Sequence, residues 1–200
     1  GELRDQSDPD LRDAPQLWHF YQTAESLRSK GQPEAMIVAG FVHDLGKILA
    51  KELPQWAVVG DTFPVGCAFS DKNVFPEYFQ LNPDFGNLAY NTPNGVYSPG
   101  VGIENLAMSF GHDEYIYAVL GAFLPLDVAF AMRFHSFYPW HREGAYDHLE
   151  NAQDRQRLPL VRLFSGSDLY SKDSPPPDLE KLRSYYQALV RRFFPEKVQW

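Results

Sequence analysis

Apolar side chains recur at helical spacing along most of this chain. The first such stretch begins after Asp13 and Pro15, residue types typical of an N-cap and a first helical turn, and it ends near Gly31. Further helices are predicted over residues 33–52, 103–120, 126–137, 158–170 and 178–194. The chain is therefore predicted to be mostly α. One face of the first helix carries Leu17, Phe20, Tyr21, Ala24 and Leu27.

Residues 54–102 lack this periodicity and differ in composition. The stretch is rich in Pro, Gly and Asn and carries scattered aromatic side chains. Such residues are typical of turns, and long loops in compact domains are often functional. We therefore expect an irregular insertion, with a short hairpin, in an otherwise helical protein.

Composition and charge narrow the class of protein. The chain has 200 residues, 44% of them hydrophobic, which is enough for one domain with a sizeable core. Its net charge of -8 argues against binding to nucleic acid or to anionic membranes. No apolar run approaches the ~20 residues of a membrane span. The single cysteine, Cys67, allows no intrachain disulfide, so we expect a cytoplasmic protein.

The adjacent pair His43 and Asp44 is the most informative feature of the sequence. Both lie inside a run of almost entirely apolar residues that is predicted to be a buried helix. Burying such polar groups is costly unless they are paired, and a divalent metal ion is the simplest partner. Neighbouring helix positions diverge by about 100°, so the two side chains need not bind one ion. Asp44 has two oxygens and could bridge to a second metal.

Three further histidines, His19, His112 and His135, also lie in apolar, aromatic-rich segments predicted to be helical. A lone histidine on an apolar face is usually a core residue that hydrogen-bonds a carbonyl. Several on separate helices, together with the His43–Asp44 pair, favour convergence on one site. Imidazole and carboxylate ligands suit Fe, Mn or Zn, and the lack of cysteine clusters argues against structural zinc.

Other polar residues have more than one interpretation. Asp168 follows an apolar helical face and is either a further ligand or a surface residue. Lys47 lies four residues after His43, on the same helical face, where it could hold an anionic group or hydroxyls. The alternative for Lys47 is a surface lysine with a buried stem. Three residues are candidates to face the same cavity: Gly60, Asp61 and Ser136.

His141 and His148 differ from the other histidines. Both lie among charged residues, including Arg142, Asp147 and Glu150. We therefore predict that both are exposed to solvent.

The order His19, His43–Asp44, His112 and Asp168 resembles the HD-domain superfamily. That resemblance implies an all-α fold that binds one or two metal ions, and His135 extends the set as in two-metal members. The resemblance narrows to the inositol oxygenase family along essentially the whole chain. It rests on the segments DQSDPD (5–10), HDLGK (43–47), PQWAVVGDTFPVGC (54–67), GHDEY (111–115), RFHSFYPW (133–140), DLY (168–170) and LRSYYQAL (182–189).

The family resemblance implies a di-iron oxygenase that cleaves the ring of myo-inositol with O2 to give D-glucuronate. Its cofactor would be a mixed-valence Fe(II)/Fe(III) pair, with Asp44 bridging the two irons. One iron would also take His19, His43 and Asp168, and the other His112 and His135. Lys47 and Asp44 would be catalytic. The implied substrate contacts are Asp5, Gln6, Ser7, Lys47, Gly60, Asp61, His135 and Ser136.

The same resemblance bears on the extent of the domain. We expect residues 1–200 to form a single HD-type domain that lacks a further N-terminal segment of the family, one that helps close over the substrate. We also expect a monomer.

Two other functions stay open from the residues alone. An HD-type metal-dependent phosphohydrolase would use the same His–Asp pair and Lys47. A helical metal-storage or ligand-binding module is the non-enzymatic alternative, but the unequal ligand counts of the two metals disfavour it. His135–Ser136 and Gly60–Asp61 favour a polyol substrate, and the acidic net charge counts against phosphate.

Overall fold

The computed structural model of the protein describes residues 16–169 and 177–200. These residues are mostly helical, which confirms the predicted fold class. Within them, no helix is both long enough and apolar enough to cross a membrane. The α-helices are α1 (Gln16–Ser29), α2 (Glu34–Val42), α3 (Gln55–Val58), α4 (His112–Leu120), α5 (Leu126–Arg133), α6 (Tyr138–His141), α7 (Ala152–Leu169) and α8 (Leu179–Phe193). Shorter 3₁₀ segments are His43–Lys51, Pro76–Leu81, Pro83–Gly86, Ile103–Asn105, Gly121–Phe123 and Asp147–Leu149.

The core lies where α1 and α2 pack on each other and where α1 and α5 pack on α7. Helix α8 packs on α2. Its bounds lie within one residue of the predicted range 178–194. The Asp178 side chain caps α8 by accepting a hydrogen bond from the amide of Lys181. The predicted start of the first helix, residues 13–15, lies outside the described residues. The largest fully buried side chains include Leu27, Met36, Ile116, Met132, Phe164 and Tyr186.

The single helix predicted over residues 33–52 is wrong, because the α-helix ends at Val42 and a 3₁₀ segment, His43–Lys51, follows. The carbonyl of Gly40, the α-helical acceptor for the amide of Asp44, accepts a hydrogen bond from His43 Nδ1 at 2.7 Å. Gly46 meets the backbone of α4 so closely that a Cβ atom there would lie 2.1 Å from the carbonyl oxygen of His112. The tighter 3₁₀ coil is the conformation in which this close packing occurs.

The helix predicted over residues 103–120 is also wrong in its first half. A short 3₁₀ turn, Ile103–Asn105, is followed by residues 106–111 outside any helix, and α4 begins only at His112. The reason is tertiary hydrogen bonding: Val65 donates to the carbonyl of Ala107, and Ser109 donates to the carbonyl of Phe63. These partners replace the local ones that a helix would use.

Two other helix boundaries shift from their predicted positions. Helix α5 ends at Arg133, so His135 lies in the following turn rather than in the helix. Helix α7 begins at Ala152 instead of residue 158, because the Asn151 side chain caps the amides of Gln153 and Asp154 at 2.8 and 3.0 Å. Pro159 therefore lies inside the helix and not at its start.

Residues 54–102 form an irregular insertion, as predicted, but not the expected hairpin. The β-pairing among the described residues is one isolated antiparallel bridge, between Pro64 and Met108. One tyrosine hydroxyl fixes the insertion to the rest of the protein, and another makes a hydrogen bond within the insertion. Tyr146 accepts from the amide of Ser70 at 2.8 Å, and Tyr97 donates to the carbonyl of Val65 at 2.6 Å.

Candidate metal centre

Asp44 lies at the centre of a buried polar cluster, and the residue is 1% exposed. Its Oδ2 accepts a hydrogen bond from Gln16 Nε2 at 2.7 Å and lies 2.9 Å from Lys47 Nζ. The Nε2 atom of His19 is 3.4 Å from the same oxygen. The other oxygen, Oδ1, lies 3.4 Å from Nε2 of His112. The two carboxylate oxygens thus face different histidines, as a bridging role requires.

Asp168 reaches the same cluster from α7. Its Oδ1 lies 2.7 Å from Nε2 of His19 and 3.2 Å from Nε2 of His43. The residue is 6% exposed, so it is not a surface aspartate. It therefore connects helices α1 and α7 to the 3₁₀ segment that carries His43.

The structure brings together all six residues predicted as metal ligands. They form three overlapping groups, and within each group the potential ligand atoms lie within 4.8 Å of one another. Asp44, His43 and His135 each belong to two of the groups. This overlap is compatible with more than one metal ion in one cage. The groups are His19, His43 and Asp44; His43, His135 and Asp168; and Asp44, His112 and His135.

Three of the histidine rings are oriented by backbone carbonyls. Nδ1 donates to Gly40 in His43, to Val58 in His112 and to Met132 in His135, at 2.7, 3.0 and 2.8 Å respectively. A carbonyl can only accept, so each Nδ1 carries a proton and each Nε2 is left as a potential ligand. Metal-binding histidines are commonly oriented in this way.

His19 supplies a separate sign of fit to a cation. Both of its ring nitrogens are buried and have no aligned hydrogen bond within residues 16–169 and 177–200. A metal ion would satisfy Nε2, which already faces two carboxylates. The donor set of imidazoles and carboxylates suits iron, manganese or zinc.

The electrostatics of the cluster strongly favour positive charge. Burial alone would raise the pKa of Asp44 and Asp168. Lys47 and the facing histidines hold the pKa of Asp44 well below its usual range, and His19 and His43 do the same for the pKa of Asp168. Burial would lower the pKa of His19, yet Asp168 and Asp44 outweigh it and raise that pKa to about 9. Without a metal ion, the cage thus compensates its two carboxylates with protons and with Lys47.

Some of the predicted substrate contacts lie close to the cluster, and others lie outside the described residues. Lys47 is mostly buried and beside Asp44, so it is not the surface lysine of the alternative interpretation. Asp61 has one buried oxygen, Oδ2, with no hydrogen-bond partner in the described part of the chain. Burial and the nearby Asp113 raise the pKa of Asp61 to about 6. Asp5, Gln6 and Ser7 lie outside the described residues.

Gly60 and Asp61 line the wall of a cavity of about 810 Å³. The other walls are mostly apolar and come from the insertion, including Phe75, Tyr78 and Phe79. The six candidate ligands do not contribute to these described walls. The cavity therefore adjoins the cluster across the Gly60–Asp61 turn and is not the metal cage itself.

Sequence reasoning missed two fully buried residues of the cluster. Gln16 contacts Asp44, as described above. Asp113 accepts hydrogen bonds from the hydroxyls of Ser136 and, at 3.0 Å, of Thr62. Asp113 also follows His112 directly, as Asp44 follows His43, and this repeated His–Asp pair was a signal that could have identified it.

The prediction that His141 is exposed is wrong, whereas the prediction for His148 is confirmed. His141 is 1% exposed, and its Nε2 donates to the carbonyl of His135 at 2.9 Å. Charged neighbours in the sequence misled the prediction, because α6 turns this ring inward while Arg142 stays at the surface. Burial lowers the pKa of His141 to about 4, so the ring is neutral.

Comparisons with known proteins bear directly on this cluster. A family model described as myo-inositol oxygenase matches residues 1–200. Inositol oxygenase of Dictyostelium discoideum is 48% identical over 98% of this chain and 70% of its own length. Inositol oxygenase 5 of Arabidopsis thaliana is 48% identical over 100% of this chain and 66% of its own length. Inositol oxygenase of Bos taurus is 48% identical over 99% of this chain and 71% of its own length. The chain thus spans about two thirds of the length of these relatives, and the phosphohydrolase alternative gains no support from them.

Proposed function

This chain belongs to the myo-inositol oxygenase family, and from that membership we propose that it cleaves the ring of myo-inositol with O2. The products are D-glucuronate and water, so that myo-inositol and O2 together balance in atoms and electrons. The observation that carries the proposal is the buried cage in which Asp44 belongs to two candidate ligand groups. We also propose that O2 is the co-substrate, that the protein is a monomer and that it is located in the cytoplasm.

We further propose that the cage holds two iron ions. One would be bound by His19, His43, Asp44 and Asp168, and the other by Asp44, His112 and His135. The Nε2 orientation of His43, His112 and His135 supports these sets, and so do the two carboxylates, Asp168 and Asp44, that face Nε2 of His19. When bound, the iron pair would supply the redox chemistry for O2 and acidify a coordinated substrate hydroxyl.

The unequal ligand sets leave room for substrate at one end of the cage. The set with His112 and His135 has fewer protein ligands, so a polyol would bind there through adjacent oxygens. Lys47 lies beside the proposed bridging residue, with its ammonium 2.9 Å from Asp44 Oδ2, the oxygen that also faces His19. A positive charge held in a buried site stabilises a substrate alkoxide more strongly than the same charge in water.

Asp61 and Ser136 would position the rest of the polyol. The buried Oδ2 of Asp61 has no partner among the described residues and is suited to accept a hydrogen bond from a substrate hydroxyl. Ser136 Oγ donates to Asp113, whose other oxygen lies 2.7 Å from Nε2 of His112 in the proposed open centre. Hydrogen bonds from several hydroxyls to fixed partners would orient the ring carbons for cleavage.

The test is anaerobic loading of the protein with iron, followed by addition of O2 and myo-inositol. Glucuronate is quantified, and phosphate release from a panel of nucleotides is measured in parallel. About two irons per chain with glucuronate formed is the expected result. Phosphate release without glucuronate would contradict the proposal and favour an HD-type phosphohydrolase.

A further inference from the structure

Asp113 sits between two segments that supply proposed substrate contacts. Its Oδ2 accepts a hydrogen bond from Thr62, in the loop that carries Gly60 and Asp61, and another from Ser136. The amide of Thr62 also donates to the carbonyl of Ser136 at 3.1 Å. All three residues are at most 3% exposed, so bulk water does not compete for these bonds.

The second oxygen of Asp113 faces the candidate ligands. Oδ1 lies 2.7 Å from Nε2 of His112 and 3.5 Å from Nδ1 of His135, but it has no aligned hydrogen-bond donor among the described residues. Because Asp113 is in the first turn of α4, the helix dipole also favours its negative charge. The two hydroxyls on Oδ2 thus hold the carboxylate in one orientation, with Oδ1 toward the candidate ligands.

This arrangement fixes the polarity of the two hydroxyls. A carboxylate only accepts hydrogen bonds, and a hydroxyl has one proton to donate. The protons of Ser136 and Thr62 are therefore both committed to Asp113. Toward any bound ligand, Ser136 Oγ has only lone pairs to offer.

We propose that Asp113 is a positioning residue that makes Ser136 an obligate hydrogen-bond acceptor, so that the site requires a hydroxyl donor on the substrate ring opposite it. The inference rests on the proposed function and on Ser136 as a substrate contact. It extends both, because it specifies which polyols are rejected. A ring in which that hydroxyl is replaced by fluorine or a carbonyl leaves Ser136 facing an acceptor.

The experiment compares kcat/KM for myo-inositol with that for a set of monofluorinated inositols, using the iron-loaded protein. For the wild type we expect one ring position at which replacing the hydroxyl by fluorine lowers kcat/KM. This loss should be on the order of 10- to 100-fold larger than the loss that the same fluorinated inositol shows with Ser136→Ala. That difference identifies the hydroxyl that donates to Ser136. Iron content is measured for every variant.

Substitutions of Asp113 then test its role. Asp113→Leu removes the acceptor and frees the Ser136 proton, so the penalty at the same ring position should shrink about tenfold. Asp113→Asn should keep the penalty, because the two hydroxyl donors select the orientation that places the amide oxygen toward them. Thr62→Val is the matched control: it removes the other hydroxyl and leaves the bond from Ser136 to Asp113 intact.

Each outcome supports or overturns the inference. Relaxed selectivity in Ser136→Ala and Asp113→Leu, with selectivity kept in Asp113→Asn and Thr62→Val, supports it. Unchanged selectivity in Ser136→Ala overturns it even if Asp113→Leu does not fold. Relaxation in Ser136→Ala without relaxation in a folded, iron-loaded Asp113→Leu also overturns it. Absence of glucuronate from the wild type instead rejects the proposed function, and with it this inference.

Discussion

Gln16 donates a hydrogen bond from Nε2 to Oδ2 of Asp44 at 2.7 Å, and both side chains are buried. The bond ties the first turn of α1 to the residue proposed to bridge the two metals. Substituting a residue that hydrogen-bonds a metal ligand commonly lowers metal affinity by about 10- to 100-fold.

We therefore expect Gln16→Leu to weaken iron binding by about 10- to 100-fold, because Asp44 loses a donor that fixes its carboxylate. Competition with a chelator of known affinity measures the change. Gln153→Leu, at an exposed position of α7, should bind iron like the wild type. Equal affinities for Gln16→Leu and wild type would show that the hydrogen bond does not position Asp44 for metal.

Lys47→Ala should lower kcat/KM for myo-inositol by about 100-fold or more, because a buried charge that stabilises the substrate alkoxide is lost. Iron content should stay close to that of the wild type, since Lys47 is a substrate contact in the proposal and not a ligand. Steady-state kinetics and metal analysis give both quantities. The control is Lys51→Ala, at an exposed position of the same 3₁₀ segment. Loss of iron in Lys47→Ala would contradict its assignment to the substrate.

The sharing of Asp44 predicts different iron stoichiometries in two variants. Asp44→Ala should lose most of both irons, because each proposed set contains this residue. His112→Ala should keep about one iron per chain. Metal analysis after desalting measures the two values, with the exposed His148→Ala as the control that retains the wild-type content. Equal stoichiometries in Asp44→Ala and His112→Ala would argue against a bridging Asp44.

Gly46→Ala should displace His112 and reduce iron binding at its site. A Cβ atom at residue 46 would lie 2.1 Å from the carbonyl oxygen of His112, so the backbone must move. Overpacking of this kind typically costs about 1–3 kcal/mol of stability. Chemical denaturation and metal analysis test both effects. Gly166→Ala, where the added methyl meets nothing within 4 Å, should fold and bind iron normally.

The buried thiol of Cys67 gives a prediction about alkaline pH. Burial raises its pKa to about 11, from an ordinary value near 9 in the unfolded chain. Between about pH 9 and pH 11 the folded protein therefore keeps the thiol proton that the unfolded chain loses. The stability that comes from the buried neutral thiol is lost as pH rises through this range. The integrated loss is about 3 kcal/mol.

The difference in unfolding free energy between wild type and Cys67→Ala isolates this effect, because other groups titrate in both proteins. We expect Cys67→Ala to gain stability relative to the wild type across that pH range, as measured by denaturant titration. A difference that stays constant from pH 8 to 11 would show that the thiol does not ionise on unfolding. Alkylation at pH 8 should likewise require unfolding.

Local sequence determined which residues were available and where helices would form. The apolar run around His43 and Asp44 predicted a buried polar pair, and helical periodicity predicted α1, α8 and most of α7. The composition of residues 54–102 predicted an irregular insertion. These inferences succeed because apolar spacing and turn chemistry depend on near neighbours in the chain.

Only the tertiary structure decided how those residues meet. His43 and Asp168 are 125 positions apart, and they meet because α1 packs both on α2, which leads into His43, and on α7, which carries Asp168. The 3₁₀ geometry at His43 accompanies the close approach of Gly46 to α4, and the late start of α4 follows from hydrogen bonds to residues 63 and 65. Burial of His141 and the role of Asp113 depend in the same way on partners distant in sequence. A hydrogen bond or a buried contact stabilises a conformation only once packing supplies its partner, so local propensity could not reveal these features.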